Sequence, residues 1–185
     1  MENAKYLVDA SMLLRRNTKG TYDEAAFPVQ WQGFDKIVEQ GLVVSIMEVK
    51  VELTREDHDD YEEWINDHED IFKPLDDPSI VIMEDINSRY PDLVEQNEKD
   101  NSIADIPLVS FAKAHNLILV TNETYNYNQN MSQKNIRIPT LCDLEGAKCT
   151  MESCEKEFDV NIDYDFECID FVELVKCERL FDPNL

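Results

Sequence analysis

The stretch Asp105-Ile106-Pro107-Leu108-Val109-Ser110-Phe111-Ala112-Lys113-Ala114-His115-Asn116-Leu117-Ile118-Leu119-Val120-Thr121-Asn122-Glu123 decides the fold. Ala104, Leu108, Phe111 and Ala112 share one face at helical spacing, which predicts a helix over residues 103–115. After the single polar residue Asn116 comes an uninterrupted apolar run, Leu117-Ile118-Leu119-Val120. Such a run, with no polar alternation, describes a strand covered on both faces, as in a parallel sheet. A helix feeding a doubly covered strand is half of a βαβ unit.

The same pattern continues on either side. Tyr6-Leu7-Val8 and Leu42-Val43-Val44-Ser45-Ile46 read as two more buried strands, and Ile136-Arg137-Ile138 as a weaker fourth. Helical patterns lie between them. One starts at Pro28 and runs through Trp31, Phe34, Ile37 and Val38, and a short one covers residues 48–55. A charged one over residues 57–72 carries Tyr61, Trp64, Ile65, His68 and Phe72, and another continues from Ile80 through Ile86 to a stop near Pro91. The expected architecture is an α/β fold: a three-layer α/β/α sandwich around a mostly parallel sheet of four or five strands. Residues 160–166 alternate like a further strand, and Ile169 to Leu180 suggest a last helix.

Composition limits the rest. A chain of 185 residues fits one domain with an appendage. No apolar run approaches the roughly 20 residues that span a bilayer, so no membrane role is expected. The N-terminus lacks the basic and apolar regions of an export signal, which predicts a cytoplasmic protein. The five cysteines contain no CxxC pair and read as reduced thiols in the core. The formal charge of −23 is unevenly spread. Residues 51–100 hold 18 acids against 4 bases, and residues 151–185 hold 11 against 3. Residues 1–50 and 101–150 are close to neutral, with 7 against 6 and 4 against 4. A uniformly acidic surface would repel nucleic acid, whereas a patchy one leaves it a way in.

In open α/β sheets, ligands bind beyond the carboxyl ends of strands. Asp9 ends the first strand and Glu123 follows the third, while Asp105 opens the helix leading into that third strand. Glu52 lies one short helix after the second strand, and Glu48, one turn earlier, competes for its role. Clustered carboxylates need a counter-charge to stay ionised. Hard oxygen donors suit Mg²⁺ or Mn²⁺, and such ions assist phosphodiester hydrolysis. Taken singly, each acid reads equally well as a helix cap or a solvated side chain. A haloacid dehalogenase-like phosphatase also begins with a strand ending in Asp, but it needs a second Asp where Ser11 stands.

In this order the motifs resemble those of the PIN-domain nucleases. They are Tyr6-Leu7-Val8-Asp9-Ala10-Ser11, then Val44-Ser45 leading to Glu52-Leu53, then the Asp105-to-Glu123 block. The chain is also similar to an uncharacterised bacterial PIN-like family. That similarity rests on Phe27-Pro28 with Trp31, Trp64, Ala104-Asp105-Ile106-Pro107, and Ile138-Pro139-Thr140-Leu141-Cys142 with Lys148-Cys149. It covers residues 5–155, which sets a PIN-like domain over 1–155 and an acidic C-terminal extension over 156–185. The resemblance implies a Mg²⁺- or Mn²⁺-dependent endoribonuclease that leaves a 5′-phosphate and a 3′-hydroxyl. Asp9, Asp105 and Glu123 would hold metal, with Glu52 completing the site and Ser11, Thr121 and Asn122 supporting it. Glu123 departs from the Asp that many PIN domains place there. Small bacterial PIN proteins are often toxins of toxin–antitoxin pairs and often dimers, so RNA, an antitoxin and a second copy are the expected partners. The alternative is a non-catalytic acidic protein that mimics nucleic acid or binds a basic partner.

Overall fold

The computed structural model describes residues 3–16, 20–54, 62–100, 102–159 and 162–182. Six strands form one sheet: β1 Tyr6–Val8, β2 Val43–Ile46, β3 Phe72–Lys73, β4 Ile118–Val120, β5 Lys148–Thr150 and β6 Glu167–Ile169. Their spatial order is β3-β2-β1-β4-β6-β5, and every pairing is parallel. In register, Leu7 stands opposite Val44 on one side and Leu119 on the other.

Helices connect the strands: α1 Ala10–Leu13, α2 Pro28–Glu39, α3 Met47–Leu53, α4 Glu62–Asp67, α5 Asp77–Arg89, α6 Pro91–Asp100, α7 Asp105–His115, α8 Ile138–Leu144 and α9 Phe171–Cys177. The chain runs outward from β1 to β3, then crosses back to β4 on the far side of β1. Right-handed crossovers therefore put α1–α4 on one face and α5–α8 on the other. The last helix, α9, joins the first layer: Phe171 stacks on Trp31 with ring centroids 4.5 Å apart. The result is the expected three-layer α/β/α architecture, and among the described residues no helix is long and apolar enough to cross a membrane.

The β1, β2 and β4 runs were legible because both faces of the central strands are buried. Tyr6, Leu7, Val8, Ile46, Leu119 and Val120 have no exposed surface. Three expectations need correction. Ile136-Arg137-Ile138 is not a strand: a 3₁₀ turn, Gln133–Asn135, precedes it and α8 starts at Ile138. Pro139, with no N–H to give, suits the first turn of that helix. The charged helix of residues 57–72 is shorter, α4 ending at Asp67, with a 3₁₀ turn at Glu69–Ile71 and β3 after it; residues 57–61 lie outside the described residues. The late strand falls at Glu167–Ile169 rather than over the alternating run before it, where Ile162 is 55% exposed and Val160 lies outside the described residues.

The sheet also has one strand more than expected, and its position matters. β6, from the acidic C-terminal stretch, lies between β4 and β5 and pairs with both. Beyond α9, Leu180 packs on Gly33 of α2, where an added Cβ would meet Leu180 atoms at 3.1–3.2 Å. Segment 156–185 thus contributes both to the sheet and to the core.

Candidate functional site

The chain reverses its direction across the sheet between β1 and β4, and such a switch point is where α/β sheets bind ligands. Asp9 leaves β1 there, and its backbone N–H donates to the Val120 carbonyl at 3.0 Å. The Asp9 carboxylate is only 3% exposed. Its Oδ2 accepts hydrogen bonds from the Ser11 hydroxyl and from the Thr121 hydroxyl, the latter at 2.9 Å. The two hydroxyl oxygens lie 3.1 Å apart. The Asn122 amide then donates to Ser11 Oγ at 3.1 Å, and the Glu123 amide to Thr121 Oγ1 at 3.2 Å. Ser11 and Thr121 therefore hold Asp9 and shape the turn that presents Glu123.

Asp105 is the first residue of α7, after Ala104, and is 8% exposed. A helix that leads into the start of β4 begins at the carboxyl edge of the sheet, which brings Asp105 to the switch point. Glu52 meets it from α3: Glu52 Oε1 accepts the Ala104 N–H at 3.1 Å, the donor just before Asp105. Glu123 Oε2 accepts the Ile138 N–H at 2.8 Å, one of the orphan donors at the start of α8. Its other oxygen faces Arg137 Nη1 at 3.8 Å.

The electrostatics follow from this crowding. Burial raises the Asp105 carboxyl well above the usual range, and the charges of Glu123, Asp9 and Glu52 raise it further, with Arg137 opposing them. Burial and the Asp9 charge raise Glu123, while the Ile138 amide and Arg137 pull it down. Burial raises Asp9, against the hydrogen bonds from Ser11 and Thr121. Carboxylates from four segments thus feel one another in a site with a single named counter-charge.

Glu48 sits in the first turn of α3, and its Oε2 is a buried carboxylate oxygen with no hydrogen-bond partner among the described residues. Asn122 behaves similarly: its Oδ1 accepts the Phe171 N–H at 3.3 Å, while its buried Nδ2 has no partner among them. Among the described residues no three His, Cys, Asp or Glu side chains are gathered tightly enough to enclose an ion, and Asp9, Glu52 and Glu123 each accept a hydrogen bond from a protein donor. The donor set itself fits a hard divalent cation: it is all oxygen, and Arg137 leaves most of its negative charge uncompensated.

Arg137 is a site residue that the sequence did not mark, since it lies inside the Ile136-Arg137-Ile138 run read as a strand. The only signal for it was its place immediately before the Ile138-Pro139 helix start, which brings it back against the β4 turn.

Residues 6–155 match the family model described as Domain of unknown function (DUF4411). The chain belongs to this family. No curated protein and no solved structure matches it. The matched span contains Asp9, Glu48, Glu52, Asp105, Glu123 and Arg137, and ends before β6, so the family match covers the whole carboxylate site.

Proposed function

We propose that the protein is a divalent-cation-dependent endoribonuclease of the PIN-domain type. The observation that carries this reading is the convergence of Asp9, Glu52, Asp105 and Glu123 at the switch point, with charge repulsion on Asp105 that Arg137 opposes. Mg²⁺ or Mn²⁺ held by Asp9, Asp105 and Glu123, with Glu52 direct or through water, would supply Lewis acidity toward water and phosphate oxygens. The chain's own part is positional. Ser11 and Thr121 keep the Asp9 carboxylate aimed by donating to one of its oxygens. Glu52 fixes the start of α7, and so the place of Asp105. Arg137, half-exposed at the rim beside Glu123, would contact a substrate phosphate.

Apart from Glu52, the acidity of residues 51–100 suits a basic partner such as an antitoxin. The test is incubation of the protein with a mixed RNA pool in Mn²⁺, beside Asp105→Asn. Cleavage that needs the cation and is lost in the variant supports the reading. Absence of cleavage, together with no heat of Mn²⁺ binding by calorimetry, overturns it.

A further inference from the structure

Between Glu123 and Asp143 the acidity of the chain stops. Residues 124–142 contain no Asp or Glu and two bases, Lys134 and Arg137, in a protein with 40 acids. This segment forms a cleft of about 570 Å³ lined by Asn126, Asn128, Asn130, Ser132, Asn135 and Arg137. That volume lies in the range of small-ligand sites. Arg137 belongs to both places: it lines the cleft and stands 3.8 Å from Glu123. Arg137 thus borders both the cleft and the carboxylate site.

Its walls are fixed. Asn126 Nδ2 donates to the Asn135 carbonyl at 2.7 Å, and the Thr140 hydroxyl donates to Asn126 Oδ1 at 2.7 Å. Gln133 ties the far wall to the α5–α6 junction, donating to the Arg89 carbonyl at 3.2 Å and accepting the Asp92 N–H at 3.2 Å. Asn128 Oδ1 accepts the Asn130 N–H at 3.1 Å, which sets the turn between them.

We infer that this cleft is a nucleotide subsite that holds single-stranded RNA next to the carboxylates. It rests on the ribonuclease reading for its substrate. Primary amides offer donors and acceptors side by side, matching the edges of unstacked bases, and a guanidinium suits phosphate. Unpaired bases are what sequence-reading proteins bind in RNA. None of the residues lining the cleft is acidic and Arg137 is cationic, so a polyanion can approach there.

The test measures fluorescence anisotropy of a labelled mixed-sequence RNA of about 12 nucleotides, a length suited to single-strand sites. It is run at low ionic strength without divalent cation, with cleavage in Mn²⁺ followed in parallel. Asn130→Asp and Asn135→Asp keep side-chain shape and add one negative charge to the cleft. Gln40→Glu adds the same charge at the opposite edge of the sheet, just after α2. Each cleft variant is expected to weaken RNA binding about five-fold, and Gln40→Glu less than two-fold, with thermal melts unchanged. RNA bound and cleaved alike by wild type and cleft variants overturns the subsite and leaves the nuclease reading intact. Weakened binding in the cleft variants, in a protein that never cleaves RNA, supports the subsite and overturns the nuclease reading. Failure of the wild type to bind RNA overturns the subsite, as does unlabelled DNA of the same sequence competing as well as RNA.

Discussion

Asp105→Asn should make the cation-free protein more stable, although it removes a residue central to the proposed site. Asp105 faces the charges of Glu123, Asp9 and Glu52, with Arg137 opposing them, which leaves a net repulsion of about two like charges. Taken at about 1 kcal/mol each, the order of a well-screened pair, that repulsion is about 2 kcal/mol. For a domain of this size, about 2 kcal/mol raises the melting temperature by about 4–8 °C. The sign follows from linkage. An unfolded Asp titrates near about 3.9. Burial and its neighbours raise Asp105 well above that in the folded state. The folded protein therefore holds its proton more tightly, and stability falls as pH rises through the raised value. The gain from Asn is largest at pH 8 and shrinks toward pH 5. The assay is thermal unfolding by circular dichroism in chelator at both pH values, repeated with Mn²⁺. At a hundredfold excess over its dissociation constant, the ion should stabilise the wild type by about 2.7 kcal/mol and the variant far less. An Asn variant that melts at or below the wild type in chelator at pH 8 would refute the claim that these carboxylates repel one another.

Three more expectations concern other contacts. Glu52→Ala leaves the Ala104 amide without its acceptor and should cost about 1–3 kcal/mol, whereas Glu52→Gln keeps an acceptor there, removes one charge that Asp105 faces, and should unfold in urea at or above the wild-type midpoint while losing Mn²⁺ affinity. Glu145 is 3% exposed and is held by Arg89 at 2.6 and 2.7 Å and by Lys113 at 3.3 Å. Arg89→Met strands that buried charge on Lys113 alone and should lower stability by about 2–4 kcal/mol in chemical denaturation, while Arg89→Lys should recover part of it. Burial raises the Glu178 carboxyl, but Lys5 and Tyr6, which donate to it, outweigh burial and hold it below its ordinary range. The stability from this contact is present above the unfolded Glu value of about 4.3 and is lost as pH falls through the lower folded value. Glu178→Gln should therefore melt slightly lower at pH 7, by about 1 kcal/mol or less, and the difference should vanish below about pH 4.

The parts of this molecule that could be read directly are those where burial imposes a pattern. The central strands β1, β2 and β4 are covered on both faces, so their residues form unbroken apolar runs. Asp9, Asp105 and Glu123 stood out because they interrupt such runs at element ends. The edge strands left no comparable signal: β3 is two residues long, and in β5 only Cys149 is buried. A strand of that length has no period to detect. Ile136 and Ile138 are both buried, which imitates a strand, yet they flank a helix start. Glu48 and Glu52 lie on the same short helix, and no spacing argument separates them. The difference between them is a matter of partners, a bonded oxygen on Glu52 and an orphan on Glu48. Arg137 could not be ranked above other bases, because its contact with Glu123 spans a 14-residue separation set by the loop around the asparagine cleft.

The place of β6 has a consequence for how the protein is made. A ribosome releases β4 and β5 before the strand that must separate them. Until residues 167–171 emerge, the Thr121 amide lacks its Ile169 acceptor and Asn122 Oδ1 lacks the Phe171 donor. The turn that carries Glu123 is thus tethered last, after every other strand exists. During that interval the open edge of β4 can capture β5 in a pairing that later has to be undone, since parallel strands are slow to register and exposed edges accept the wrong neighbour. Completion of the carboxylate site is thereby timed to the arrival of β6, the last strand along the chain. A nascent chain would carry Asp9, Glu52, Asp105 and Glu123 well before it could hold them in working order.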